Sequence, residues 1–164
     1  MVVTNLTIRA MAAADHRAVA EIGFSAWMSS DAWSVQRPAD AVVDHVRRAF
    51  DAFPADATDL ITVAEQDAKI VGWTALNGEK NHISDLWVHP ESQGMGIGWA
   101  LIDHLLLQMR GEGISIVTIH THASNSGAIR LYERAGFRIV WRGMEFSRSA
   151  GTELEKVHME RVLG

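Results

Sequence analysis

The chain has 164 residues, close to the size of one domain, and residues 1–164 are expected to form a single unit with one main core. Hydrophobic residues make up 48% and charged residues 21%, which excludes a disordered composition, and the absence of cysteine excludes disulfides, a thiolate nucleophile and cysteine-ligated metals. A net charge of −5 without a basic stripe argues against a nucleic-acid partner, and the short apolar runs and unremarkable N-terminus argue against a membrane span or signal peptide, so a cytoplasmic protein is expected.

In chain order, residues 6–9 alternate weakly and predict a first strand. Asp15 is a suitable N-cap for a helix running to about Ser29, with Val19, Ile22, Phe24, Ala26 and Trp27 on its apolar side. A second helix is expected from near Pro38 to Phe53, ended by Pro54. The period then changes. Residues 60–66 and 69–76 read as strands joined by a short link, and Asn77-Gly78 is a turn signal. A fourth strand, 83–88, is closed by Pro90. A helix over 96–110 follows, with Gly111 as its stop, and then a fifth strand over 114–120. Residues 126–135 predict a helix stopped by Gly136, and 137–146 and 154–162 a closing pair of strands. The order βααβββαβαββ implies a layered α/β (α+β) domain with a mixed sheet.

The stretch Val88-His89-Pro90-Glu91-Ser92-Gln93-Gly94-Met95-Gly96-Ile97-Gly98 is the most informative. A strand stops, a loop with three alternating glycines follows, and a helix begins. Glycines let backbone approach a ligand and turn N–H groups outward, and a helix N-terminus adds unpaired donors and partial positive charge. Together they suit a diphosphate; a tight strand-to-helix turn is the simpler alternative. Two familiar phosphate loops do not match. A Walker loop needs Lys-Ser or Lys-Thr where Trp99 stands, and a dinucleotide fingerprint needs an acid at the end of the next strand, which carries none.

The chain resembles the GCN5-related N-acetyltransferase (GNAT) superfamily in two motifs. The first, Q/R-x-x-G-x-G/A, is met by Gln93 through Gly98 behind Val88-His89-Pro90. The second, an Asn, an Ala-x-x-Leu-Tyr helix core and Gly-Phe, is met by Asn125, Ala128, Leu131, Tyr132, Gly136 and Phe137. The resemblance implies a mixed, mostly antiparallel sheet of six to seven strands, the fourth and fifth splayed apart, with about four flanking helices. It implies acetyl-coenzyme A as co-substrate, with no metal, and direct transfer of acetyl to a primary amine. Gln93, Gly94, Met95, Gly96, Ile97 and Gly98 would cradle the pyrophosphate; Leu86, Trp87 and Val88 would offer strand backbone to the pantetheine arm, which Asn125 would also contact. Tyr132, the chain's one tyrosine, would protonate the departing thiolate. A non-catalytic acyl-coenzyme A sensor is the alternative.

Transfer requires a deprotonated amine. Three residues are candidate bases, in this order: His120, at a position where some relatives carry glutamate; Asp85, near the end of the fourth strand; and His82, where other relatives carry glutamate. His120-x-His122 is a possible metal pair, but no third ligand is evident. On the acceptor side, Trp33 is the better loop candidate, with His82 beside it; Phe24, Trp27, Met28, Trp141 and Phe146 fit core or acceptor wall, and Asp31, Asp44 and Glu145 fit solvated surface or contacts to a cationic amine. The acceptor is expected to be a small-molecule or peptide amine. By analogy with relatives whose last strands pair between subunits, a homodimer is expected.

Overall fold

The computed structural model describes residues 5–147 and 150–164. Its strands are β1 (Leu6–Ala10), β2 (Ile61–Gln66), β3 (Lys69–Ala75), β4 (His82–Ile83), β5 (Asp85–Val88), β6 (Ile116–His122), β7 (Arg138–Ser147) and β8 (Thr152–Val162). Its helices are α1 (His16–Met28), α2 (Asp40–Asp56), α3 (Ile97–Gly111) and α4 (Ser126–Arg134).

Four boundaries depart from the sequence expectation, each for a local reason. Ala39 is extended (φ −62°, ψ 149°), so α2 begins at Asp40 rather than at Pro38. The same helix runs past Pro54 instead of stopping there. A proline so near the end costs one helical hydrogen bond, while Ala57 still donates to the Phe53 carbonyl (2.9 Å) and the Thr58 hydroxyl donates to the Pro54 carbonyl (3.0 Å). α3 is stopped by Gly113 (φ 79°), not Gly111, and Ile114 N–H caps the Met109 carbonyl (3.0 Å), which delays the next strand to Ile116. Asp15 stands at the N-cap of α1 without capping it, because its carboxylate is turned to Arg9.

One further departure shapes the site. The expected fourth strand is interrupted at Ser84, whose N–H bonds the Ala75 carbonyl and whose hydroxyl accepts from Asn77 N–H, both at 3.0 Å. On one side of this break, β4 pairs in parallel with β6 (His82↔Thr118, Ile83↔Ile119). On the other, β5 pairs antiparallel with β3 (Gly72↔Val88 to Ala75↔Asp85). One continuous segment thus belongs to two sheets, ordered β1-β2-β3-β5 and β4-β6-β8-β7. With β4 and β5 taken together, the result is the expected mostly antiparallel sheet of seven strands, opened along the line between β5 and β6.

Apolar packing holds the opening in place. α1 and α2 cover one face of the first sheet through Val19, Ile22, Trp27, Val46 and Phe50 against Val63 and Trp73. On the other face, Ile97 and Leu101 of α3 pack on Ala64. Further along α3, Ile102, Leu105 and Met109 pack with Tyr132 of α4 on Ile83, Val117, Ile119 and Met159. α3 therefore bridges both sheets where they diverge. Close approach of α1 to α2 needs Gly23, where a Cβ would lie 2.5 Å from the Phe50 ring.

At the edge of this core, Asp15 accepts from Arg9 (2.7 and 3.2 Å) and from Ala12 N–H (2.8 Å), while Arg9 also donates to Glu65 (3.2 Å). The Arg9 guanidinium holds the Asp15 carboxyl below its ordinary pKa, against the opposing effect of burial. A depressed carboxyl stabilises the fold above its unfolded pKa, near 4, and that contribution is lost as pH falls through the lower folded value. We expect Asp15→Asn to cost about 1–3 kcal/mol at pH 7. The gap to the parent should narrow below about pH 4. Urea unfolding across pH measures both.

Candidate active site

Where β5 and β6 part, a cleft of about 810 Å³ opens between the sheets. Its lining comes from the β5 strand, the glycine bend, the end of β6 and α4. β5 pairs with β3 along one edge; among the described residues its other edge has no strand partner. Leu86, Trp87 and Val88 all line the cleft along this strand.

The bend is built as the glycine spacing requires. Gly94 and Gly96 have φ of 76° and 87°, a left-handed conformation that disfavours other residues. Gly96 is the N-cap of α3, so the bend leads straight into the unpaired N–H groups of the helix. Gln93, Gly94, Gly96, Ile97 and Gly98 line the cleft; the half-exposed Met95 does not. The Gln93 side chain donates to the Val88 carbonyl (3.1 Å) and ties the bend back to β5. At Gly98 a Cβ would lie 3.0 Å from Leu131, so glycine also lets α3 approach α4.

Tyr132 and Asp85 both line the cleft. Tyr132 is buried, and its phenol is pushed well above its ordinary pKa, chiefly by burial and further by the Asp85 charge. The Asp85 carboxyl is itself raised by burial, against stabilising bonds from the Trp87 indole (3.1 Å) and the Ser84 hydroxyl (2.8 Å). His120 also lines the cleft, and its pKa is pushed down to about 4 by burial and by the neighbouring His158 and His82. It is therefore a neutral hydrogen-bond acceptor at pH 7.

The other expected residues fall in several places. Asn125 lines the cleft and caps α4, its side-chain oxygen accepting from Ala128 N–H (3.4 Å). His82 lies outside the cleft lining; it bonds Thr118 (2.7 Å) and packs against His120, ring centres 4.5 Å apart. Trp33 is also outside the lining, packed edge-on between Trp27 and His122. Asp31 accepts from Gly127 N–H (2.9 Å) and the Ser126 hydroxyl (3.3 Å), tying the loop after α1 to the start of α4. Three cations went unnoticed in the sequence: Arg130, Arg134 and Lys156 line the cleft. For the first two the signal was present, since Gly127, Arg130, Leu131 and Arg134 follow helical spacing along one face of α4.

A split sheet thus carries an amide-rich bend at its fork with a buried tyrosine behind it. A profile of the acetyltransferase (GNAT) family matches residues 16–137. The chain is 30% identical to the peptidyl-lysine N-acetyltransferase YjaB of Salmonella typhimurium, over 65% of this chain and 74% of that protein. It is 32% identical to the mycothiol acetyltransferase of Propionibacterium freudenreichii subsp. shermanii over 52% of this chain, spanning only 29% of that longer protein. The PaiA N-acetyltransferase of Thermoplasma acidophilum, solved in complex with coenzyme A, shares the fold with a TM-score of 0.73 at 19% identity, over 96% of this chain and 98% of that one. The chain belongs to the acetyltransferase (GNAT) family.

Proposed function

We propose that this chain transfers the acetyl group of acetyl-coenzyme A directly to a primary amine. The observation that carries the reading is the fork itself: an open strand edge, a glycine bend at a helix N-terminus and a buried tyrosine line one cleft. Backbone N–H groups of the 93–98 bend take the diphosphate, with Arg130 and Arg134 adding positive charge. The free edge of β5 takes the pantetheine amides in the ladder position that β6 vacates, and Asn125 borders the arm.

The thioester then lies beside Tyr132. The amine lone pair attacks the carbonyl carbon, and the oxyanion takes a hydrogen bond from backbone at Val88. The carbon–sulfur bond breaks with its electron pair on sulfur, which takes the Tyr132 proton. The raised phenol pKa keeps Tyr132 protonated until that moment. The proton from the amine leaves through His120, with Asp85 as second acceptor, and solvent restores Tyr132. Trp33 and His82 back the acceptor side from behind His122 and His120.

A lysine side chain or a small amine both satisfy this chemistry; the similarity to a peptidyl-lysine N-acetyltransferase along most of its length favours the lysine. The test is thiol release from acetyl-coenzyme A in the presence of lysine peptides, polyamines and amino sugars. Acceptor-dependent release supports the reading; binding without release for every amine would favour a sensor module. We also propose a homodimer formed through the edge strand β7, which exposes Ile139, Val140, Met144 and Phe146. Sedimentation of Phe146→Lys against the parent checks it.

The bend makes its own prediction. Gly96→Val forces a branched residue into a left-handed conformation costing about 1–2 kcal/mol. Acetyl-coenzyme A binding should weaken by about tenfold or more, while kcat at saturation changes little. Titration calorimetry and steady-state kinetics separate the two.

A further inference from the structure

On the face of the second sheet opposite α3 and α4, three strands bring together His120 and two side chains, His158 and Glu145, that acetyl transfer does not use. His120 of β6 and His158 of β8 are direct cross-strand partners, their rings stacked 3.5 Å apart and 7° from parallel. Glu145 of β7 reaches the same point, its carboxylate 2.7 Å from His158 Nε2. Donor atoms of all three lie within 4.8 Å of one another. The sequence offered His120-x-His122 without a third ligand. In the structure His122 turns to Trp33, and the missing partners come from strands distant in sequence.

We propose that His120, His158 and Glu145 form a site for a borderline divalent metal ion such as Zn²⁺, and that its occupation switches acetyl transfer off. Two imidazoles and one carboxylate are a donor set that zinc takes while keeping a position for water. Ligand lengths of roughly 2.0–2.2 Å need the donors closer together than they lie here. Side-chain rotation closes that gap, since the strand register already sets the two histidines opposite each other.

The surroundings suit the site. Trp141 packs on His158 (4.5 Å between ring centres) and lies over Gly143, where a Cβ would meet its indole at 2.7 Å. His82 packs against the far side of His120. Lys156, 3.8 Å from the other Glu145 oxygen, is the opposing cation and holds the affinity down. Because His120 lines the acetyl-transfer cleft, a metal on it withdraws a polar group from the acceptor side.

The test is titration of Zn²⁺ into the ligand-free protein by calorimetry, with Co²⁺ absorption as a second readout. One saturable ion per chain is expected, with the isotherm lost in His158→Ala and weakened at least tenfold in Glu145→Gln; circular dichroism checks that both variants fold. His104→Ala, on α3, should bind as the parent does. Zn²⁺ should inhibit thiol release by the parent and spare His158→Ala. Absence of saturable binding, or an isotherm unchanged in folded His158→Ala, overturns the proposal and leaves the acetyl-transfer reading untouched.

Discussion

Replacing Tyr132 by phenylalanine is expected to lower kcat by about 10²-fold or more while acetyl-coenzyme A binds almost as before. The ring is buried in an apolar cluster with Ile119, Phe137 and Met159, so phenylalanine fills the same space. What disappears is one proton. Without it, the departing thiolate must leave as a free anion in a partly desolvated cleft, beside the Asp85 carboxyl that already opposes negative charge there. A ground-state contact would show in KM; a proton needed when the carbon–sulfur bond breaks shows in kcat. Single-turnover thiol release with a saturating amine separates the two, and an unchanged kcat would remove Tyr132 from the mechanism.

The largest effect on stability is expected at Trp73. Its side chain is fully buried between α1, α2 and the first sheet, edge-on to Phe50 (6.4 Å) and tilted against Phe53 (5.6 Å). Trp73→Ala should destabilise by about 3–5 kcal/mol, through lost burial and the cavity left behind. At this chain length that lowers Tm by roughly 6–20 °C. Trp73→Phe should cost far less than the alanine variant, because the indole N–H is buried without a partner among the described residues and its removal relieves a penalty. Urea and thermal unfolding of the two variants test the ranking. Equal losses would mean that ring volume is not what the core needs from Trp73.

Much of this architecture is legible in the sequence because its signals are local. The alternating glycines of the bend and the Gly136 stop depend on residues within a few positions, and each appears where the spacing predicts. The break at Ser84 is not local. Residues 83–88 read as one strand, and only the competing pairings with β3 and β6 divide it. Proline rules misplaced both ends of α2: Ala39 is extended at its start, and burial of Pro54 outweighs one lost hydrogen bond at its end. His120 illustrates the same limit in electrostatics. Its position was legible, but its low pKa comes from burial and from His158, 38 positions away in the chain and directly opposite in the sheet. Asp31 looked like a solvated or substrate-facing acid and instead ties a loop to α4, a contact across 96 positions.

Titration calorimetry of the folded protein with acetyl-coenzyme A addresses the fork most directly. One saturable site per chain, with Kd in the range of about 1 µM to 1 mM typical of enzyme substrates and weakened by Gly96→Val, is the predicted result. No heat at millimolar coenzyme, or equal binding of ATP, would contradict it.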